Sequence, residues 1–326
     1  MLKWRLITGI SVACFCLAIL FLLPAWTHMV LILAIFALAQ LEYYEMVTRS
    51  NQSRLERCAP SSLTPADLQD RGYHYDLLIT TICGILFLLV AAVESPVVIS
   101  LIGKRFPTWT PIPPGRFDFS GYALVFTPAI LLVAGVFRRR TSHAMESFAL
   151  SYAGFWYIAV LLSFLVRLAF EWPCFEQGGT NYTGRLYILL FALLVKFSDI
   201  GGYTFGCLFG KHKLIPEISP KKTVEGLIGG YLFSLGISLI FWALINRFGG
   251  TALGQTHFPI VHAIALPLLL TTTGVLGDLA ESLIKRSVGV KDSSSRFPGM
   301  GGILDIFDSI LFSAPFMYIY VITFIK

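Results

Sequence analysis

The sequence predicts an all-α polytopic integral membrane protein with about nine transmembrane helices and a cytoplasmic N-terminus. Three observations carry this expectation. Of the 326 residues, 56% are hydrophobic and only 13% are charged, whereas a soluble domain carries roughly 25% charged residues on its solvated surface. Apolar runs of about twenty residues recur, each long enough to cross a hydrocarbon core about 30 Å thick at about 1.5 Å per residue. Lysine and arginine also fall predominantly on one side when these runs are threaded back and forth through a bilayer.

The runs are 6–23, 26–47, 76–94, 121–137, 147–168, 186–207, 223–245, 259–279 and 303–324, separated by charged or Gly/Pro breaks. The first follows Lys3 and Arg5 and is similar to a signal peptide. It is longer than an ordinary signal region and passes Pro24 into the second run without a small-residue cleavage site, so an uncleaved first helix is expected. The break at 48–75 is polar, that at 95–120 is Pro-rich, and the others are short. With the N-terminus inside, seventeen of the 25 basic residues lie in the cytoplasm. Only Lys104, Arg105, Arg116, Arg247 and Lys326 lie outside, while Arg167, Arg185 and Lys196 sit in or at the edge of spans. The chain therefore reads as a single membrane domain over 1–326, with 1–184 forming N-terminal helices and loops and 185–326 carrying the functional site.

The net charge of +6 does not indicate nucleic acid, because the basic residues flank spans, where they suit topology and anionic headgroups. The six cysteines lie mostly inside apolar runs without zinc-like spacing and read as packing residues.

Two segments concentrate the polar residues. In the first, Asp199 interrupts an apolar run beside Ser198, Gly201, Gly202 and Gly206. A carboxylate in a span costs about 2.5–3.5 kcal/mol, so it must face a polar interior, either as a structural hydrogen-bonder or as part of a site. The glycines serve close helix packing or close approach of a ligand. Ser219-Pro220-Lys221-Lys222-Thr223 follows. Two ammonium groups beside the start of the next helix suit a phosphate group, although paired lysines at a boundary also serve topology alone.

The second segment is denser. On a helix, Asp278, Ser282 and Lys285 share one face at i, i+4 and i+7, with Glu281 beside them. A helix-end salt bridge is the plainer reading of that stripe. The following loop carries Lys291, Asp292 and Arg296, and Asp305 and Asp308 open the last span. These two aspartates are either dipole-stabilised caps or, with Asp278, oxygen ligands for a hard cation such as Mg²⁺. The six histidines are scattered, and no nucleophile–base pair of the hydrolase type stands out. Carboxylates, lysines and glycines suit phosphate chemistry, where positioning and charge neutralisation do most of the work.

These residues, spread over roughly 197–309, resemble the phosphatidate cytidylyltransferase (CDP-diacylglycerol synthase) family. The resemblance rests on Ser282-Leu283-Ile284-Lys285-Arg286, Lys291-Asp292, Pro298-Gly299-Met300-Gly301-Gly302 and Asp305-Ile306-Phe307-Asp308-Ser309. Gly277-Asp278-Leu279-Ala280-Glu281 and the Ser219–Thr223 segment add to it. Two positions depart from the family pattern: Met300 stands where it has His, and Ile306 where it has Arg.

The resemblance implies transfer of a cytidylyl group from CTP to phosphatidate, giving CDP-diacylglycerol and pyrophosphate for phospholipid synthesis. It implies Asp278, Asp305 and Asp308 as Mg²⁺ ligands, with a second, monovalent cation left open. Ser282, Lys285, Arg286 and Lys291 join them as the catalytic set. Ser219, Lys221, Lys222, Thr223, Asp199 and Arg296 are the expected nucleotide- and phosphate-binding residues. The implied partners are CTP, phosphatidate and the lipid bilayer, with a homodimer open and nucleic acid not expected. The expected location is a bacterial inner (cell) membrane with the active site facing the cytoplasm. The competing readings are a CTP-dependent lipid-alcohol kinase, an inactive relative, and a transporter.

Overall fold

Apolar length and Gly/Pro punctuation translate directly into helices. The computed structural model describes residues 11, 15–23, 25–58, 71–95, 119–137, 144–170, 183–252, 258–294, 296–297 and 301–325. Within them lie α1 (Ala25–Cys58), α2 (Arg71–Val93), α3 (Phe119–Phe137) and α4 (Ala144–Phe170). Then come α5 (Thr183–Phe209), β1 (Lys213–Ile215), β2 (Ser219–Thr223), α6 (Val224–Ala252), α7 (Ile260–Ser287) and α8 (Ile303–Tyr320). Helix α4 contains a π-helical turn, Phe155–Val160, and α8 continues into another, Val321–Ile325.

Among the described residues, seven helices are long and apolar enough to cross a membrane, and Leu77–Val93 is a shorter apolar stretch. These eight coincide with the second to ninth expected spans. The first expected span, 6–23, is described at residue 11 and over 15–23, and of these 11 and 15–22 are helical. The all-α polytopic membrane class is as the sequence predicts.

Helix α8 is the keel of the molecule. Its Leu304 and Leu311 pack with α1, α2 and α4 around Phe36, Leu88, Phe155 and Ile158. Its Ile310, Ala314 and Met317 pack with α5 and α7 around Phe191, Leu194 and Leu266. Large apolar side chains elsewhere point outward, as Ile228, Leu232, Ile240 and Leu244 do along α6. Outward apolar faces are what a lipid solvent permits.

Two close approaches position the functional end. Helices α5 and α6 meet through glycines: a Cβ on Gly201 would lie 2.5 Å from the Gly229 carbonyl, and one on Gly226 would lie 2.7 Å from that of Gly202. Helices α7 and α8 meet at Gly277, where a Cβ would lie 2.6 Å from Phe312 Cβ. Between α5 and α6, β1 and β2 form a small antiparallel hairpin pairing Lys213 with Thr223 and Ile215 with Ser219. The short break between the sixth and seventh expected spans therefore holds a hairpin. Thr223 closes the hairpin by accepting from Gly226 N at 3.1 Å, capping α6. Glu225 holds the other strand, accepting from the backbone N–H groups of Lys211 and His212.

Candidate active site

Polar residues of α5, α7 and α8 meet beside the hairpin. Asp278, Glu281 and Asp308 each offer a carboxylate oxygen, and these atoms all lie within 4.8 Å of one another. Asp278 and Glu281 come together because i, i+3 spacing places them on one face of α7. The Gly277 contact brings α8 close enough for Asp308 to join them. Glu281 is fully buried and Asp308 nearly so.

Cations surround the cluster. Lys222 pairs with Asp278 at 2.8 Å and also donates to the Val275 carbonyl at 3.1 Å. Strand alternation explains why Lys222 turns inward while its neighbour Lys221 is exposed. Lys285 bridges Glu281 and Asp305, at 2.5 and 2.6 Å. Ser282 lies 3.4 Å from Asp278 through its hydroxyl. On α5, Lys196 contacts Asp199 at 3.4 Å and donates to the Ile306 carbonyl at 2.8 Å. Asp199 is within electrostatic range of Asp278 and Lys222.

The converging carboxylates differ from the expected metal set in one member. Asp305 does not join Asp278 and Asp308. It sits in the first turn of α8, and one of its oxygens reaches back to accept from Gly302 N at 2.8 Å and from Ser293 N and Oγ at 2.9 and 2.7 Å. Its other oxygen is paired with Lys285. A helix-start carboxylate with free backbone amides behind it folds back on them, which turns it away from Asp308. Glu281 stands in the cluster instead.

Other expected residues are dispersed. Arg286 and Lys291 are exposed, Ser219 is half-buried in β2, and Thr223 is committed to capping. Arg296 does not face the cluster: it pairs with Glu45 and lies 3.6 Å from Glu42. Met300 lies outside the described residues, and Ile306 is buried.

Two residues near the site were missed from sequence. Glu42 of α1 is fully buried and accepts from Leu304 N at 3.0 Å and Ser294 Oγ at 2.8 Å, with Ser293 Oγ 3.3 Å away. The rule that singled out Asp199, an ionisable residue within an apolar run, would have found it. Tyr157, from the π-helical turn of α4, has a buried hydroxyl with no hydrogen-bond partner among the described residues. It lies within electrostatic range of all four carboxylates of α7 and α8. Such turns recur at functional sites.

A polytopic membrane protein with an acid cluster ringed by lysines at the ends of its helices has the equipment of an enzyme for phosphate esters. The chain belongs to the cytidylyltransferase family, whose model matches residues 3–324. Similar curated proteins include the phosphatidate cytidylyltransferases of Staphylococcus epidermidis and Bacillus subtilis. The first is 43% identical over 143 residues, covering 44% of this chain and 52% of the relative. The second is 42% identical over 143 residues, covering 44% and 50%. That of Staphylococcus aureus is 44% identical over 145 residues, covering 44% and 52%. The chain thus spans about half the length of the curated relatives it matches.

Proposed function

We propose that this protein transfers a cytidylyl group from CTP to phosphatidate, releasing pyrophosphate, at the cytoplasmic face of a bacterial inner membrane. The observation that carries this reading is the convergence of Asp278, Glu281 and Asp308 between Lys222 and Lys285, in a chain of this family.

The cluster suits a hard divalent cation. Its donors are all oxygen, as Mg²⁺ requires, and the buried Glu281 Oε1 has no hydrogen-bond partner among the described residues. Asp278, Glu281 and Asp308 would hold the ion. Bound there, Mg²⁺ would neutralise charge on the nucleotide phosphates and on departing pyrophosphate.

The residues of the chain divide the remaining work. Lys285 and Lys222 fix the carboxylates, so their geometry is set before substrate arrives. Lys221, Arg286 and Lys291, all exposed, supply cations to phosphate oxygens. An oxygen of the lipid phosphate bonds to the α-phosphorus as the bond to the bridging oxygen breaks, and that oxygen leaves with pyrophosphate. The attacking oxygen is already anionic near neutral pH, so no general base is required. CTP approaches from water while the acyl chains stay in the bilayer.

Purified protein given phosphatidate, Mg²⁺ and CTP labelled at the α-phosphorus tests the reading. Label should enter the lipid, whereas a CTP-dependent lipid kinase leaves it in CDP. Asp278→Asn and Asp308→Asn should each lower turnover by about 10²–10³-fold, as loss of a preorganised electrostatic group does. Unchanged turnover in both variants would remove the acid cluster from the chemistry.

A further inference from the structure

An ammonium group well inside an apolar helix is costly and marks a function, and Lys196 of α5 is such a group. Its Nζ donates to the Ile306 carbonyl at 2.8 Å, between Asp305 and Asp308 along α8, and its contact to Asp199 is a long 3.4 Å. Lysine has three N–H donors, and among the described residues these two contacts leave one to spare. The other site lysines are more committed. Lys222 and Lys285 lie 2.8 Å or less from carboxylates, with side chains 21% and 11% exposed, against 39% for Lys196. Of the three lysines that touch the site's carboxylates, Lys196 is therefore the most available to an incoming anion.

Its place along α5 indicates which anion. Toward the C-terminal end of the helix lie Asp199 and the hairpin that carries Lys222. In the other direction Leu193 and Leu189 share its face at i−3 and i−7, and both are half-buried. Leu190, Phe191, Leu194 and Val195 form the packed face of this stretch. Lys196 thus stands where polar residues give way to apolar ones. A ligand with its phosphate here has the acid cluster on one side and an apolar surface on the other. A nucleotide has no use for that surface; a phosphate-headed lipid does. The buried Ile306 side chain carries no charge, so the cation at this point of α8 is supplied by α5.

We propose that Lys196 binds the phosphate of the lipid substrate, with an acyl chain lying along Leu193 and Leu189. This rests on reading the site as one that joins a nucleotide to a phosphate-headed lipid.

The test is calorimetric binding of a short-chain phosphatidate, of the matching diacylglycerol and of CTP to the full-length protein in detergent, with steady-state kinetics alongside. Lys196→Met should weaken phosphatidate binding by about tenfold, the scale of one charge-assisted hydrogen bond, and raise its KM similarly. The KM for CTP and the weaker binding of diacylglycerol should not change. Lys196→Arg should recover most of the loss, and Lys196→Gln, uncharged but polar, should resemble Lys196→Met. Equal phosphatidate binding in wild type and both uncharged variants overturns the proposal, as does absence of binding by wild type. A loss that falls on CTP instead assigns Lys196 to the nucleotide and also overturns it. Wild-type protein that binds phosphatidate through Lys196 but transfers no cytidylyl group leaves the anchor standing and removes the reaction.

Discussion

Glu42 shows how one residue ties the N-terminal helices to the site. A carboxylate with no exposed surface must have its lone pairs satisfied, and this one accepts from Leu304 N and Ser294 Oγ, with Ser293 Oγ packed 3.3 Å away. The fit leaves no room for a side chain at Gly302, where a Cβ would lie 2.3 Å from Glu42 Oε2 and 2.1 Å from Ser293 Oγ. The same Ser293 donates to Asp305, so Glu42 sets the position of the loop on which Asp305 and Lys285 depend. Glu42→Ala strands buried donors at about 1–3 kcal/mol each. It should lower the thermal midpoint of the purified protein and reduce turnover, although Glu42 lies outside the acid cluster. Gly302→Ala should show the same pair of losses. A Glu42→Ala protein with wild-type stability would mean that the clasp contributes nothing.

At the scale of elements, the α5–α6 contact decides how the hairpin is aimed. Glycine normally weakens a helix by about 0.5–1 kcal/mol relative to alanine, yet Gly201, Gly226 and Gly229 all lie where backbones touch. Small residues allow this closeness, and packing is what holds helices together when the solvent is lipid. Gly201→Ala puts a methyl group 2.5 Å from the Gly229 carbonyl, so it should part the helices, destabilise the protein and displace Lys222 from Asp278. Gly236, on the same helix α6, has nothing within 4 Å of its Cβ position. Gly236→Ala should be neutral or slightly stabilising. Thermal unfolding of the two variants side by side checks the contrast, and equal effects would contradict the close approach.

For the molecule as a whole, the proposed orientation places the hairpin and the loop after α7 together on the cytoplasmic side. Lys221 and Lys291 are both exposed, and both follow helices that run toward the same side. Cysteines placed singly at these positions, in a protein whose six native cysteines are replaced, should react with a membrane-impermeant maleimide only when the cytoplasmic face is open to it. A cysteine at Arg247, at the far end of the α6 span, should show the reverse pattern. Labelling of Lys221 and Lys291 positions from opposite sides would break the topology.

The sequence by itself determined the membrane class, the positions of eight described helices and the segments that hold the polar residues. Hydrocarbon imposes a span length and a charge penalty that act locally, so they can be read along the chain. The carboxylates that meet were decided only in three dimensions. Spacing along α8 pairs Asp305 with Asp308, but the backbone amides of Gly302 and Ser293 capture Asp305, and Glu281 of α7 enters the cluster instead. The inward turn of Lys222, the diversion of Arg296 to Glu42 and Glu45, and the reach of Lys196 to α8 depend likewise on helix rotation and on contacts between distant segments. Hydrophobic pattern states which residues are polar within a span; only packing states which of them face one another.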